Sequence, residues 1–153
     1  MTNKKDINAG IIIIGNEILS GRTKDTNTST LAVWLNSLGI KVDEVRVIPD
    51  IEQTIIDTVN TFRKKFSYVF TSGGIGPTHD DITSSSISKA FKMKYGTHNE
   101  AFKILEKYYK PGEFNEGRQK MARMPIDASL ILNPTSGAPG FYVENVFCLP
   151  GVP

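Results

Sequence analysis

Gly10-Ile11-Ile12-Ile13-Ile14-Gly15 is the stretch on which the reading of the fold turns. Four β-branched residues in succession favour extended backbone, because their restricted χ1 suits a pleated strand. Apolar character without alternation predicts a strand covered on both faces, as inside a parallel sheet. The apolar run from Ala9 to Ile14 falls far short of the ~18 residues needed to cross a bilayer. The charged start Met1-Thr2-Asn3-Lys4-Lys5-Asp6 precedes it, but no small-residue cleavage pattern follows. The run passes straight into Gly15-Asn16-Glu17, so a buried strand fits better than a signal peptide.

Working outward, residues 16–27 are polar and read as a loop of functional length. Leu31, Trp34, Leu35 and Leu38 recur at the spacing of an amphipathic helix, and Gly39 stands where a left-handed cap belongs. Val42, Val45, Val47 and Ile48 mark a second strand, closed by Pro49-Asp50. Ile51, Ile55, Ile56, Val59, Phe62 and Phe66 share a second helical face, with Arg63-Lys64-Lys65 suiting the helix dipole at its end. Tyr68-Val69-Phe70-Thr71 is a third strand. A helix is expected to start at Asp80 or Asp81 and run through Ile87, Ala90 and Phe91. Residues 99–109 read as a helix with Phe102, Leu105, Tyr108 and Tyr109 inward, and 116–124 as a short one stopped by Pro125. Residues 129–132, 141–143 and 146–149 read as short strands.

Strands alternating with helices of this length predict an α/β fold: a three-layer α/β/α sandwich around a mostly parallel central sheet. The 153 residues are the size of one domain, 1–153, able to bury a core without disulfide or zinc. A composition of 39% hydrophobic and 22% charged residues excludes a disordered tail or a collagen-like rod. A net charge of +2 gives no general pull toward nucleic acid or membrane, and neither is expected as a partner. The single cysteine, Cys148, excludes an intramolecular disulfide and suits a cytoplasmic setting. Leu149-Pro150-Gly151-Val152-Pro153 stops directly after a strand where a helix commonly follows, so a truncated C-terminus is expected.

Ligands of open α/β sheets sit beyond the carboxyl ends of the strands. Three loops qualify there, and 72–81 is the most informative: Ser72-Gly73-Gly74-Ile75-Gly76-Pro77-Thr78-His79-Asp80-Asp81. Three glycines in four positions let backbone approach a ligand, and amides ahead of a helix make an anion cradle. The alternative is a tight strand-to-helix turn. No Lys-Ser or Lys-Thr follows, so it is not a Walker loop, and His79 stands at the third position of a Rossmann fingerprint. One of Asp80 and Asp81 is expected to cap the helix, and the other to face the crevice, where carboxylates beside phosphate suit Mg²⁺. Asp50 can converge from a neighbouring strand end or cap the helix that follows it. Glu17 and Asp25 read as solvated loop acids, His98 as surface, Cys148 as a buried inert thiol, and Lys103, Lys107 and Lys110 as a solvated stripe. No Gly-x-Ser-x-Gly elbow is present, so a hydrolase triad does not fit.

The block Thr71-Ser72-Gly73-Gly74-Ile75-Gly76-Pro77-Thr78-His79-Asp80-Asp81-Ile82-Thr83 resembles the signature of the MoaB/Mog molybdopterin-binding domain family. It is most similar to the branch found in competence/damage-inducible protein A and in the N-terminal part of eukaryotic FAD synthases. Gly15-Asn16-Glu17-Ile18-Leu19-Ser20-Gly21 with Asp25 and Asn27 resembles the family's first loop, and Val47-Ile48-Pro49-Asp50 its second. Lys120-Met121-Ala122 with Pro125, Asn133 with Gly137-Ala138-Pro139-Gly140-Phe141, and Leu149-Pro150-Gly151-Val152-Pro153 resemble the later blocks, in order along the chain. Asn16 and Ser85 stand where many members carry acids.

The resemblance implies a domain that binds molybdopterin, another phosphorylated pterin or a nucleotide. Its expected ligand-binding residues are Gly15, Glu17, Asn27, Ser72, Gly73, Gly74, Gly76, Pro77, Thr78, Asn133, Gly137, Pro139 and Gly140. Asp50 and Asp81 are expected to be catalytic, with Asp80 and Asp81 holding Mg²⁺ or another divalent cation. Three activities stay open: metal-dependent pyrophosphate cleavage of ADP-ribose or FAD, adenylyl transfer to molybdopterin, and non-catalytic binding. The family resemblance also implies a homodimer or homotrimer, with Phe114, Phe141 and Tyr142 as interface material.

Overall fold

The computed structural model describes residues 7–133 and 137–150. The isoleucine run forms β1 (Asn8–Ile14), which lies inside a six-stranded sheet. β1 pairs in parallel with β2 (Lys41–Ile48) on one side and β3 (Tyr68–Ser72) on the other. β3 continues in parallel to β8 (Val146–Leu149), which pairs antiparallel with β7 (Gly140–Val143), itself antiparallel to β6 (Ser129–Ile131). The order is thus β2-β1-β3-β8-β7-β6, with β7 alone reversed.

Alternate residues of β1 feed two cores, as the period of two in a strand requires. Ile12 and Ile14 pack with Ile55, Val59 and Phe62 of α3 (Glu52–Lys65), Ile87 of α4 (Thr83–Ala90) and Leu105 of α5 (Asn99–Tyr108). Ile11 and Ile13 pack on the other face with Leu35 of α2 (Asn27–Ser37) and Phe70. The expected α/β sandwich with a mostly parallel sheet is therefore the fold. A methyl group at Gly10 would lie 2.6 Å from the rings of Phe62 and Phe66, so α3 sits directly on the backbone of β1.

Several elements differ from expectation. Residues 16–27 are not all loop: α1 (Asn16–Leu19) is one helical turn, and Asn27 already opens α2. Only Leu35 of the apolar α2 stripe is buried; Trp34 is 52% and Leu38 57% exposed, because no element covers that flank. Gly39 does take the left-handed cap, at φ +80. α4 begins at Thr83, and neither Asp80 nor Asp81 caps it. Residues 116–124 divide into α6 (Glu116–Gln119), a 3-10 turn Lys120–Ala122 and the strand β5 (Arg123–Pro125), which pairs with β4 (Tyr95–Thr97) in a small second sheet. Arg123–Pro125 and Tyr95–Thr97, three residues each beside helical segments, gave no separate strand pattern in the sequence. His98 is not a surface bystander: its Nδ1 accepts from the Ala101 amide and its Nε2 meets Ala128 O at 3.0 Å, capping α5. Phe141 is fully buried in the core and cannot serve as interface.

The loops after β1 and β3 leave toward opposite faces, β1 to α1 and α2, β3 to α4. Divergence between neighbouring parallel strands opens a crevice at their carboxyl ends. Phe62 locks this arrangement from below, fully buried against β1 and stacked edge-on with Phe66 at 5.1 Å. Phe62→Ala should cost about 3–5 kcal/mol, the usual range for a buried Phe truncation, read by denaturant or thermal unfolding.

Candidate functional site

At the switch point the end of β1 touches the end of β3. Gly73, at φ +102, lies so close to Ile14 O that any side chain would strike that carbonyl. Gly74, at φ +76, sits against Thr83 Oγ1, and a methyl at Gly76 would lie 2.9 Å from Asp81 Oδ2. Gly73 and Gly74 are therefore required by close approach and left-handed backbone, while at Gly76 a side chain would displace the Asp81 carboxylate. The loop returns to α4 through Thr83 N–H donating to Gly74 O at 2.9 Å.

The amides are unequally available. Gly73 N–H donates to Leu149 O at 3.2 Å and Thr78 N–H to Asp81 Oδ2 at 2.9 Å, while Pro77 has none. Among the described residues, the amides of Gly74, Ile75 and Gly76 meet no acceptor. The cradle is thus shorter than the 72–81 loop that the sequence singled out.

The loop borders a cleft of about 410 Å³, to which Glu17, Gly73, Gly74, Ile75, Gly76, Pro77, Asp81 and Pro139 contribute. A neighbouring hollow of about 110 Å³ shares Glu17 and Gly73 and adds Asn27 and Ser72, whose side chains are joined by Asn27 Nδ2 donating to Ser72 Oγ at 2.9 Å. These expected residues come together. Others stand apart from the cleft lining. Gly15 is buried beneath Glu17, with its amide on Ile48 O at 3.0 Å. Gly137 packs on the Tyr108 ring, and a methyl at Gly140 would lie 2.5 Å from Cys148 O, so both are glycines of packing. Asn133 accepts the Gly137 amide at 2.9 Å. Gly151, Val152 and Pro153 of the last sequence block lie outside the described residues.

The acids have distinct environments. Asp81 Oδ2 accepts from both Thr78 N and Thr78 Oγ1, at 2.9 and 2.8 Å, so it braces the turn rather than the helix. Asp80 is exposed, 3.3 Å from His79 Nε2. Asp25 caps α2, its Oδ1 accepting from the amides of Asn27 and Thr28. Asp50 accepts from Asn16 N at 3.1 Å, and its own amide donates to Asn16 Oδ1 at 3.2 Å, tying the second loop to the first. Burial raises the Asp50 carboxyl above its ordinary value; the Asn16 amide opposes this, and the charges of Glu17, Asp81 and Asp80 add to it. Among the described residues, no three His, Cys, Asp or Glu side chains form a ready cage for an ion. Burial pushes the Cys148 thiol up to about 12, so it stays protonated and inert.

Three participants escaped the sequence reading. Lys120 Nζ donates to Thr78 O and, at 2.6 Å, to Asp81 O, holding the turn from behind; burial lowers its pKa while Asp81 and Asp80 oppose that. Tyr109 and Arg118 form the wall opposite the glycines, with the guanidinium 4.5 Å from the Tyr109 ring centre. A helix read only for its inward face gave no sign that Tyr109 would border a cleft.

An acid whose folded pKa is raised binds protons more readily folded than unfolded. Its protonated form therefore favours folding at low pH, and that advantage is lost as pH rises through the raised value. Asp50→Asn keeps the acceptor for Asn16 but removes the charge. The variant should melt higher than the parent at neutral pH, and the gap should close as the pH falls below the ordinary aspartate range, where the parent carboxyl is protonated both folded and unfolded. Thermal melts across that range check the sign.

Residues 10–153 match the sequence model of the family MoCF_biosynth, described as "Probable molybdopterin binding domain". A protein of Pyrobaculum calidifontis is 41% identical over 151 residues, covering 95% of this chain and 58% of its own length. One of Archaeoglobus fulgidus is 38% identical over 143 residues, covering 94% and 61%. The chain thus spans about three-fifths of the length of these curated relatives. Among solved structures, CinA of Thermoplasma acidophilum, itself of unknown function, superposes with a TM-score of 0.88 at 33% identity, covering 97% of this chain and 91% of that one. The molybdopterin biosynthesis enzyme MoaB of Thermus thermophilus shares the fold, with a TM-score of 0.63 at 15% identity over 96% of this chain and 82% of its own. With the glycine loop at the switch point and a family match along nearly its whole length, the chain belongs to the MoaB/Mog molybdopterin-binding domain family and is CinA-like.

Proposed function

We propose that this domain binds a phosphorylated pterin or nucleotide across the carboxyl ends of β1 and β3 and cleaves the pyrophosphate of ADP-ribose or FAD with a divalent cation. The observation that carries this reading is the row of amides at Gly74, Ile75 and Gly76, without acceptors among the described residues, in a cleft that also presents Asp81 and Glu17. Such amides stabilise charge that develops on a phosphoryl oxygen, and being fixed by the glycine geometry they need no reorganisation to do so.

The residues present fit a shared cation rather than a caged one. Mg²⁺ is commonly held by one or two carboxylates together with phosphate oxygens and water. The acids around Asp50 leave an excess of negative charge there, which a cation would relieve. Asp80 and Asp81 are the residues assigned to hold it, and Asp50 acts beside them with Asp81 as a catalytic carboxylate. A bound cation would neutralise the phosphate oxygens and the leaving group. The chain's own part is to seat one phosphoryl group on the amides and to keep Asp50 oriented through Asn16. A cytoplasmic setting belongs to the same proposal, supported by the free thiol of Cys148.

Incubation with FAD or ADP-ribose and Mg²⁺ should release AMP; no AMP from either substrate, alongside tight nucleotide binding, would leave a binding module. Asp81→Asn keeps an acceptor for Thr78 while removing the charge. Turnover or metal-dependent affinity should fall at least ~10-fold, equivalent to ~1.4 kcal/mol, with the melting temperature nearly unchanged. Unfolding of the variant with unchanged activity per folded molecule would make Asp81 a turn brace only.

A homodimer or homotrimer is proposed with it. Trp34, Leu38 and Tyr142 border an apolar hollow of about 350 Å³ on the α2 face, beside Phe70 and Phe147. Apolar surface of this kind suits association. Light scattering should give more than the monomer mass, and a monomer at working concentration contradicts it.

A further inference from the structure

Among the described residues, Arg118 is the one cation lining the glycine-loop cleft. It is half-buried, and among the described residues no carboxylate lies within ion-pair distance of it. Its Nη1 donates to Glu113 O at 2.6 Å, and the guanidinium rests 4.5 Å from the Tyr109 ring centre. These contacts fix its direction but spend only one of its five N–H donors. The segment that carries it is docked on the loop. A methyl at Gly117 would lie 3.4 Å from Pro77 O, and Lys120 binds the carbonyls of Thr78 and Asp81. The guanidinium and the open amides of Gly74, Ile75 and Gly76 therefore border the same space.

Arg118 and the amides of Gly74, Ile75 and Gly76 are two anion-seeking groups bordering one cleft, neither paired with a carboxylate among the described residues, a pairing that suits a ligand with two anionic centres. Glu17 and Asp81 border that space as well, so a lone phosphate on the amides meets nearby negative charge. A planar guanidinium pairs with phosphate oxygens through two parallel hydrogen bonds, which an ammonium cannot do. We infer that Arg118 binds a second phosphoryl group of the ligand seated on the glycine amides, so that the cleft selects a diphosphate over a monophosphate. This rests on the reading of the amides as a phosphate seat.

The test is calorimetric titration of the chain with inorganic phosphate and with pyrophosphate, at one fixed Mg²⁺ concentration, for the parent, Arg118→Gln and Arg118→Lys. The parent should prefer pyrophosphate by at least ~10-fold, the scale of one charge-assisted contact. Arg118→Gln should lose most of that preference while its phosphate affinity stays within about 2-fold, and Arg118→Lys should recover only part of it. A purely structural brace would weaken both probes together, so the ratio is the decisive reading. If the parent binds no phosphate or pyrophosphate, the amide seat fails and this inference with it. If phosphate binds but the parent shows no preference, or Arg118→Gln lowers both affinities equally, the phosphate seat stands and the role given to Arg118 is overturned.

Discussion

The absence of a side chain at Gly73 is the constraint on which the site depends. β1 and β3 are adjacent parallel strands, and their ends meet where Gly73 lies against the carbonyl of Ile14. Any Cβ there would push the strands apart or turn the loop away from the crevice. Gly74 repeats the condition one residue on, against Thr83, so the loop is held between the end of β1 and the start of α4. The next amides, of Gly74, Ile75 and Gly76, have nothing to bond among the described residues. The anion seat proposed for them is then a by-product of strand packing.

Electrostatics then divides the loop into two ends of opposite use. Its entrance carries open amides, while its exit is a turn braced by Asp81 from one side and Lys120 from the other. The ammonium of Lys120 offsets the acids near the exit without entering the cleft lining. Asp50 receives no such relief. It is partly buried with three acids nearby, an arrangement that weakens the fold and is of the kind found where a carboxylate has a job.

The α/β fold was legible because its signal is long-range and redundant. The isoleucine run, the α3 stripe from Ile55 to Phe66 and the Tyr68–Ser72 strand each agree with one parallel sheet. The glycine loop was legible because close approach leaves a compositional mark. What was hidden arises from contacts between segments distant in sequence. Nothing around Lys120 says that its ammonium will reach Thr78, more than forty residues away. One of Asp80 and Asp81 was expected to cap the helix because adjacent acids ahead of it fit that rule, but the helix opens at Thr83 and the Asp81 carboxylate turns back to Thr78. The α2 stripe was misread in the other direction: its periodicity is genuine, yet Trp34 and Leu38 find no cover among the described residues.

Asn16 and Ser85, where the family resemblance led acids to be expected, play different parts in the structure. Asn16 offers its carbonyl to the Asp50 amide, a task an aspartate could also perform. An aspartate there would add another negative charge beside a carboxyl already raised by burial and by nearby acids, and so favour the protonated form of Asp50. The neutral amide keeps the link between the first and second loops while leaving Asp50 easier to ionise. Ser85 is different: its hydroxyl donates to Ile82 O at 3.0 Å, within the first turn of α4, and is spent on the helix. A neutral side chain at position 16 therefore works in favour of an ionised Asp50, whereas the Ser85 hydroxyl serves only the first turn of α4.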